Sequence, residues 1–270
     1  MRHALRPTFA AVCAACAGLA AASPALAQSE LAADPAPDTQ LSFTTGLDFS
    51  EGDYGAPLDT RILVVPFSAR LKTGDVRITA SVPWLRIDGA NIVGGGAGTP
   101  IVIDPAAPRS VRSGLGDVSL GLAYVIPEDR LGIGIDLSGR IKLPTASAAK
   151  GLGTGKADFS GSVELSRTFG TVTPFASVGY RLPGDPDGFD FKNTLFTSAG
   201  FSVAAGKTVL IASYDYRESP TTLAQDSHEL FGAISVPVSS RLDLTFYGSG
   251  GLSKGAPDYG VGAMLTLKAF

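Results

Sequence analysis

From about residue 40 to the C-terminus, apolar and polar side chains alternate with a period of two. The clearest stretch lies between Leu131 and Leu143. Leu131, Ile133, Ile135, Leu137, Gly139, Ile141 and Leu143 share one parity, and Gly132, Gly134, Asp136, Ser138, Arg140 and Lys142 share the other. Successive side chains of a strand point to opposite faces, so this stretch predicts a strand with one apolar and one polar side. A helix would scatter both sets around its circumference. The alternation recurs where Val172, Pro174, Ala176, Val178 and Tyr180 oppose Thr173, Ser177, Gly179 and Arg181, and where Leu210, Ala212, Tyr214 and Tyr216 oppose Ser213, Asp215 and Arg217. Twelve such segments are predicted, starting near residues 40, 58, 75, 117, 131, 157, 171, 192, 207, 227, 241 and 258; those near 58, 192 and 227 alternate poorly. Most have the ~9–11 residues that a tilted membrane-crossing strand needs.

The connections sharpen the prediction. Tight turns fall at Lys72-Thr73-Gly74, Pro127-Glu128-Asp129, Phe169-Gly170, Ala205-Gly206 and Val238-Ser239-Ser240. Longer polar or Gly/Pro-rich connections fall at Ser50–Pro57, Leu85–Gly116, Pro144–Lys156, Pro183–Phe191, Glu218–Gln225 and Gly250–Pro257. Long and short alternate strictly, as the external loops and periplasmic turns of an outer-membrane barrel do and as a soluble sandwich has no reason to do. The fold class predicted is therefore all-β: a transmembrane antiparallel β-barrel of twelve strands over residues 40–270, with both termini on the periplasmic side. On the outward parity, Trp84, Phe159, Tyr180, Tyr216 and Tyr259 lie near the loop ends of their strands, and Tyr124 and Phe169 near the turn ends. That distribution matches the two aromatic girdles of such barrels.

The N-terminus changes the picture. Arg2, His3 and Arg6 precede a small-residue apolar stretch, and Ser23-Pro24-Ala25-Leu26-Ala27 ends in an Ala-x-Ala cleavage pattern. Residues 1–27 are thus expected to be a signal peptide, and 28–39 a polar periplasmic leader. Cys13 and Cys16 fall within that signal, which excludes a disulfide scaffold or a zinc ribbon in the exported chain. A net charge of −3 without a Lys/Arg cluster argues against a nucleic-acid partner. The expected location is the outer membrane of a Gram-negative bacterium. The expected partners are outer-membrane lipid, the barrel-assembly machinery and a small-molecule solute.

Four stretches carry a family resemblance: Gly114-Leu-Gly-Asp-Val-Ser-Leu-Gly-Leu-Ala-Tyr124, Arg140-Ile-Lys-Leu-Pro-Thr145, Gly153-Thr-Gly-Lys-Ala-Asp-Phe159 and Thr173-Pro-Phe-Ala-Ser-Val-Gly-Tyr-Arg181. Together they resemble the outer-membrane family named for meta-pathway phenol degradation, over roughly residues 114–184. The resemblance implies a barrel that takes up aromatic or hydrophobic compounds. It brings no catalytic residues with it.

The polar parity supplies candidate lumen-lining residues: the cations Arg77, Arg140, Lys142, Arg181, Lys192, Arg217 and Arg241, and the anions Asp117, Asp136, Asp158, Glu164, Asp215, Glu229 and Asp243. The signs balance, which argues against a strongly ion-selective ring. The arrangement fits either a polar passage between charge ladders or an interior closed by cross-strand ion pairs. The 85–116 connection is the longest and carries Ile101, Val102 and Ile103, apolar residues that would be exposed unless packed; it is expected to gate the mouth. A membrane-embedded lipid hydrolase is a third reading. His228 is the one histidine beyond the signal, and its neighbour Ser227 must face the other way along a strand, so the two make no dyad. Gly94–Gly98 and Gly151–Lys156 precede no helical pattern and read as loops rather than phosphate cradles. No metal cluster is evident, with loop aspartates Asp185, Asp187 and Asp190 the nearest approach to a calcium site. No cofactor and no enzymatic activity are expected. The favoured function is a passive channel for small hydrophobic or aromatic molecules, with a non-transporting structural or surface-interaction barrel as the alternative.

Overall fold

The computed structural model describes residues 39–54, 58–89, 91–95, 99–104, 109–186 and 188–270, with side chains between 90 and 108 left aside. The expected signal peptide (1–27) and all but the last residue of the expected leader (28–39) lie outside the described residues.

The strands are β1 (Thr39–Gly52), β2 (Thr60–Thr73), β3 (Val76–Gly89), β4 (Asn91–Gly95), β5 (Thr99–Asp104), β6 (Ser110–Leu115), β7 (Val118–Ile126), β8 (Gly134–Leu143), β9 (Asp158–Ser166), β10 (Val172–Leu182), β11 (Thr194–Ala205), β12 (Thr208–Arg217), β13 (Ser227–Ser239), β14 (Leu242–Gly251) and β15 (Tyr259–Lys268). Each barrel strand pairs antiparallel with its neighbours in the chain, and β1 closes the sheet on β15 from Ser42↔Lys268 to Glu51↔Tyr259. β6 and β7 both pair with β3, through Trp84↔Leu115 and Ser81↔Ser119 respectively, so they form one wall strand interrupted at Gly116 and Asp117. Counted so, twelve strands close the barrel, and no sheet edge is left at membrane depth, where unpaired backbone would be costly.

The alternation sets the two faces. Along β7, Leu120, Leu122 and Tyr124 are exposed while Ser119, Ala123 and Val125 are buried. Along β9, Phe159, Val163 and Leu165 are exposed while Asp158, Glu164 and Ser166 are buried. Apolar residues on the exposed face and polar ones within invert the arrangement of a soluble protein, as a barrel whose outer solvent is lipid requires. The short connections, the start of β1 at Thr39 and Phe270 lie at one rim, and the longer connections lie at the other. The terminal strand stops at Lys268. Beyond it the Phe270 carbonyl accepts from the Leu41 amide and the Ala269 amide donates to Leu41, which ties the C-terminus to β1.

Two expectations change in detail. β8 starts at Gly134 rather than near 131, because Pro127 opens a single helical turn, α1 (Glu128–Leu131), which Gly132 ends in the left-handed region at φ 73°. Asp75 in the adjacent turn holds that turn through Arg130 at 2.6 and 3.1 Å. The long 85–116 connection also shrinks. Its first residues continue β3 to Gly89 and its last form β6, and between them β4 and β5 pair as a hairpin.

Candidate functional site

The polar parity of the wall faces the barrel interior. It places Arg77, Asp136, Arg140, Lys142, Asp158, Glu164, Arg181, Asp215, Arg217, Glu229 and Asp243 on the lumen face of their strands, with Asp117 buried at the break between β6 and β7. Two predicted lining residues lie elsewhere. Lys192 precedes β11 and is exposed, its ammonium 2.9 Å from Glu218 on the neighbouring loop. Arg241 is exposed in the turn before β14, where its carbonyl accepts from the Lys268 amide. Parity continued past the strand ends misassigned both, because strand geometry has stopped by then. The Glu218 carboxylate accepts from the Leu195 amide and from Lys192, and these hold it below the usual carboxylate range; the same bond to Glu218 raises the Lys192 ammonium.

The charges gather into separate groups. Near the turn end, Arg77 on β3 meets Asp136 on β8 at 2.5 Å, with side chains 1% and 0% exposed. Near the loop end, Lys142 lies 3.3 Å from Asp117 and 3.2 Å from Asp158, and Asp158 also meets Arg181 at 2.5 Å. Lys268 meets Asp243 at 2.7 Å, and Arg217 meets Glu229 at 3.4 Å. Between the first two groups, Arg77, Thr79, Ser138, Arg140, Ser162 and Phe196 line a polar void of about 10 Å³, room for about one water molecule.

The sequence reasoning missed a second component. Two apolar surfaces lie on the lumen face. One is built by Phe175, Val209, Ile211, Phe231, Tyr247 and Met264 across β10 to β15. The other is built by Ile62, Val64, Leu85 and Ile87 of β2 and β3, with Tyr54, Ala146 and Leu152 from the loops. Tyr54 adopts φ 49°, the one positive φ outside glycine among the described residues. That conformation is uncommon for a bulky residue, and here it accompanies a ring that is 2% exposed.

Glycines shape this lining. In three cross-strand pairs an inward ring lies opposite an inward glycine: Phe196 opposite Gly179, Phe175 opposite Gly200 and Tyr247 opposite Gly262. A Cβ on Gly179 would lie 2.1 Å from the Phe196 ring, and one on Gly262 would lie 2.1 Å from the Tyr247 ring. The rings therefore lie along the wall, over strands that have no side chain there, instead of projecting to the axis.

The 144–157 loop bears on the mouth. Leu152 is 2% exposed and packs with the inward residues of β2 and β3. Asp117 accepts from the Ala146 amide at 2.8 Å, and Lys142 donates to Thr154 at 3.0 Å, so the ion group on β8 and β9 holds this loop. The predicted gate residues Ile101, Val102 and Ile103 lie on β5, paired with β4; their side chains lie outside the described ones.

The remaining candidates fall outside the lumen or form no cluster. His228 faces outward from β13, with Nδ1 2.6 Å from the Tyr214 hydroxyl and its ring 5.0 Å from that of Tyr216, while Ser227 is turned inward and buried. Asp185 accepts from the Phe191 amide, Asp187 lies outside the described residues, and no group of three or more metal-ligating side chains occurs among the described residues.

No family model matches the chain, and no curated protein matches it significantly in sequence. Among solved structures, an outer membrane channel from Pseudomonas putida F1 is similar at a TM-score of 0.63 and 11% identity, covering 87% of this chain and 99% of that one. A monoaromatic hydrocarbon channel, CymD, is similar at a TM-score of 0.44 and 11% identity, covering 85% and 87%. Outer membrane phospholipase A from Escherichia coli is similar at a TM-score of 0.42 and 11% identity, covering 84% and 89%. The first of these shows that the chain has the fold of an outer-membrane β-barrel.

Proposed function

We propose that this chain is a passive channel in the outer membrane of a Gram-negative bacterium, and that it admits small hydrophobic or aromatic molecules. The observation that carries the reading is the set of lumen rings laid flat over glycines. A barrel closed only for mechanical strength gains most by pointing its large side chains at the axis and filling it. Rings held against the wall line a path, and they present apolar faces to a solute on it. The resemblance over residues 114–184 to the phenol-degradation family supports an aromatic solute. CymD's description as a monoaromatic hydrocarbon channel is compatible with that choice. Movement is down a gradient and needs no cofactor. His228 and Ser227 on opposite faces of β13 argue against a hydrolase at that histidine. The export signal at 1–27, the surrounding lipid and the assembly machinery belong to the same proposal.

One observation favours the rival reading of a closed, non-transporting barrel: Leu152 and its loop pack inside the mouth above an ion-paired interior. The test is conductance and solute flux of the purified full chain in planar bilayers and liposomes. Gly179→Leu should drive the Phe196 ring off the wall and lower flux several-fold, while a deletion of 148–155 should raise conductance. No conductance from either the native chain or the loop deletion would favour the closed barrel.

A further inference from the structure

The two apolar surfaces of the lumen approach each other at Asp48. Tyr247, from the surface on β10 to β15, donates its hydroxyl to Asp48 Oδ2 at 2.6 Å. Tyr54, from the surface on β2 and β3, meets Ser50 on the same strand at 3.2 Å. Asp48 is an inward residue of β1 and 4% exposed, and its other oxygen, Oδ1, has no hydrogen-bond partner among the described residues. Glu229 on β13 lies within electrostatic range of it and is 2% exposed. Burial is the main cause that pushes the Tyr54 phenol above its ordinary range, and the charges of Glu229 and Asp48 push it the same way. The Phe231 and Tyr247 rings stand 5.8 Å apart on the same side of the lumen.

We infer that Asp48 and Glu229, walled by Tyr54, Phe231 and Tyr247, form a selectivity site for a small organic cation, an aromatic or alkyl ammonium. A buried carboxylate with an unpartnered oxygen, within electrostatic range of a second carboxylate, is unfavourable unless it meets a positive charge or takes up a proton. Among the described residues, Glu229 has one such charge, Arg217 at 3.4 Å, and Asp48 has no ion pair. A hard metal ion would need several oxygen ligands in a shell, and no group of three or more metal-ligating side chains occurs among the described residues. Aromatic faces around a carboxylate suit a weakly hydrated ammonium instead, since the ring quadrupole attracts cations and the apolar body of the solute meets apolar walls. Gly262 permits the arrangement: without a Cβ, it lets the Tyr247 ring cross β15 and reach Asp48.

This inference rests on the channel reading, and the experiment separates the two. The purified full chain is placed in planar bilayers with KCl, and phenethylammonium chloride is added on one side. Sodium phenylacetate, of like size and opposite charge, is the control. Potassium current should be blocked saturably by phenethylammonium at a concentration at least tenfold below that of phenylacetate. Asp48→Asn keeps the shape of the side chain and should raise the blocking concentration, measured relative to that variant's own unblocked current, about tenfold. Glu229→Gln should weaken block in the same direction, and it serves alone if Asp48→Asn does not reach the heat-modifiable folded form. Absence of potassium current in the native chain would overturn the channel reading together with the site. Current with equal block by the two probes, or block untouched by both substitutions, would overturn the site alone.

Discussion

The Arg77–Asp136 pair offers a quantitative test of how the interior is held. The two side chains are 1% and 0% exposed and meet at 2.5 Å, across a strand contributed by neither. At an effective dielectric constant of about 20, unit charges about 4 Å apart attract by roughly 4 kcal/mol, and desolvation offsets most of that. Asp136→Leu removes the attraction and leaves the buried guanidinium less well compensated, so it should cost up to about 3–5 kcal/mol. Arg77→Met leaves the carboxylate only the weaker attraction of Arg70 and should cost up to a similar amount. The double variant strands neither charge and fills the space with apolar atoms, so it should recover to within about 1–2 kcal/mol of the native barrel. The assay is a reversible urea titration of folding into phospholipid vesicles, read by tryptophan fluorescence and by heat-modifiable migration. Single losses that simply add in the double variant, to within about 0.5 kcal/mol, would show that the two groups do not act as a pair.

Two further outcomes are expected. Leu122, mid-strand on β7 and 58% exposed, faces lipid, so Leu122→Arg should cost about 2–4 kcal/mol of barrel stability, while Ser138→Arg, on the lumen face, should cost less than half of that; equal losses in the same titration would mean that the faces are reversed. At the loop rim, Glu218 is held below its ordinary range chiefly by the Leu195 amide and then by Lys192. A depressed carboxylate contributes stability above its unfolded pKa and loses it as pH falls through the folded value, so the protection of the Leu195 amide, its exchange rate relative to the intrinsic rate at the same pH, should fall on acidification below the usual glutamate range. Glu218→Gln should remove that pH dependence, and amide exchange measured by NMR or mass spectrometry checks both statements.

The barrel itself was legible because each wall strand has two different solvents. Lipid selects apolar residues at every second position, and the alternation survives wherever the lumen face is polar, as along β8 and β9. The predicted starts fall close to the observed ones, with β8 the exception, because Leu131 and Ile133 keep the right parity through a helical turn that pattern alone does not reveal. Parity also misassigned Lys192 and Arg241, for the same reason: it runs on after the strand has ended. The break at Gly116 and Asp117 left no periodic signal, since two consecutive residues turn inward there and the register resumes afterwards. Asp48 shares its parity with Ser42 and Ser50, so its position was readable, but its tie to Tyr247 joins residues 199 apart in sequence.

The segments near 58, 192 and 227, where alternation was poor, turn out to be the informative ones. Each has apolar side chains on its lumen face: Ile62 and Val64 on β2, Phe196 on β11 and Phe231 on β13. Poor alternation in a strand of a barrel therefore does not mark a weak strand. It marks a strand with apolar residues toward lipid and toward the interior, a set to which the better-alternating β10 and β12 add Phe175, Val209 and Ile211. The second signal is equally local. An inward glycine in a membrane strand weakens it unless something covers the exposed backbone. In this chain rings opposite Gly179, Gly200 and Gly262 do so. A glycine on lumen parity opposite an aromatic residue thus predicts a ring laid along the wall, and three such pairs predict an aromatic lining before any lumen dimension is known. That argument runs from sequence to path without passing through the charge ladders. The charges brace the barrel in separate groups, and the rings between them line its interior.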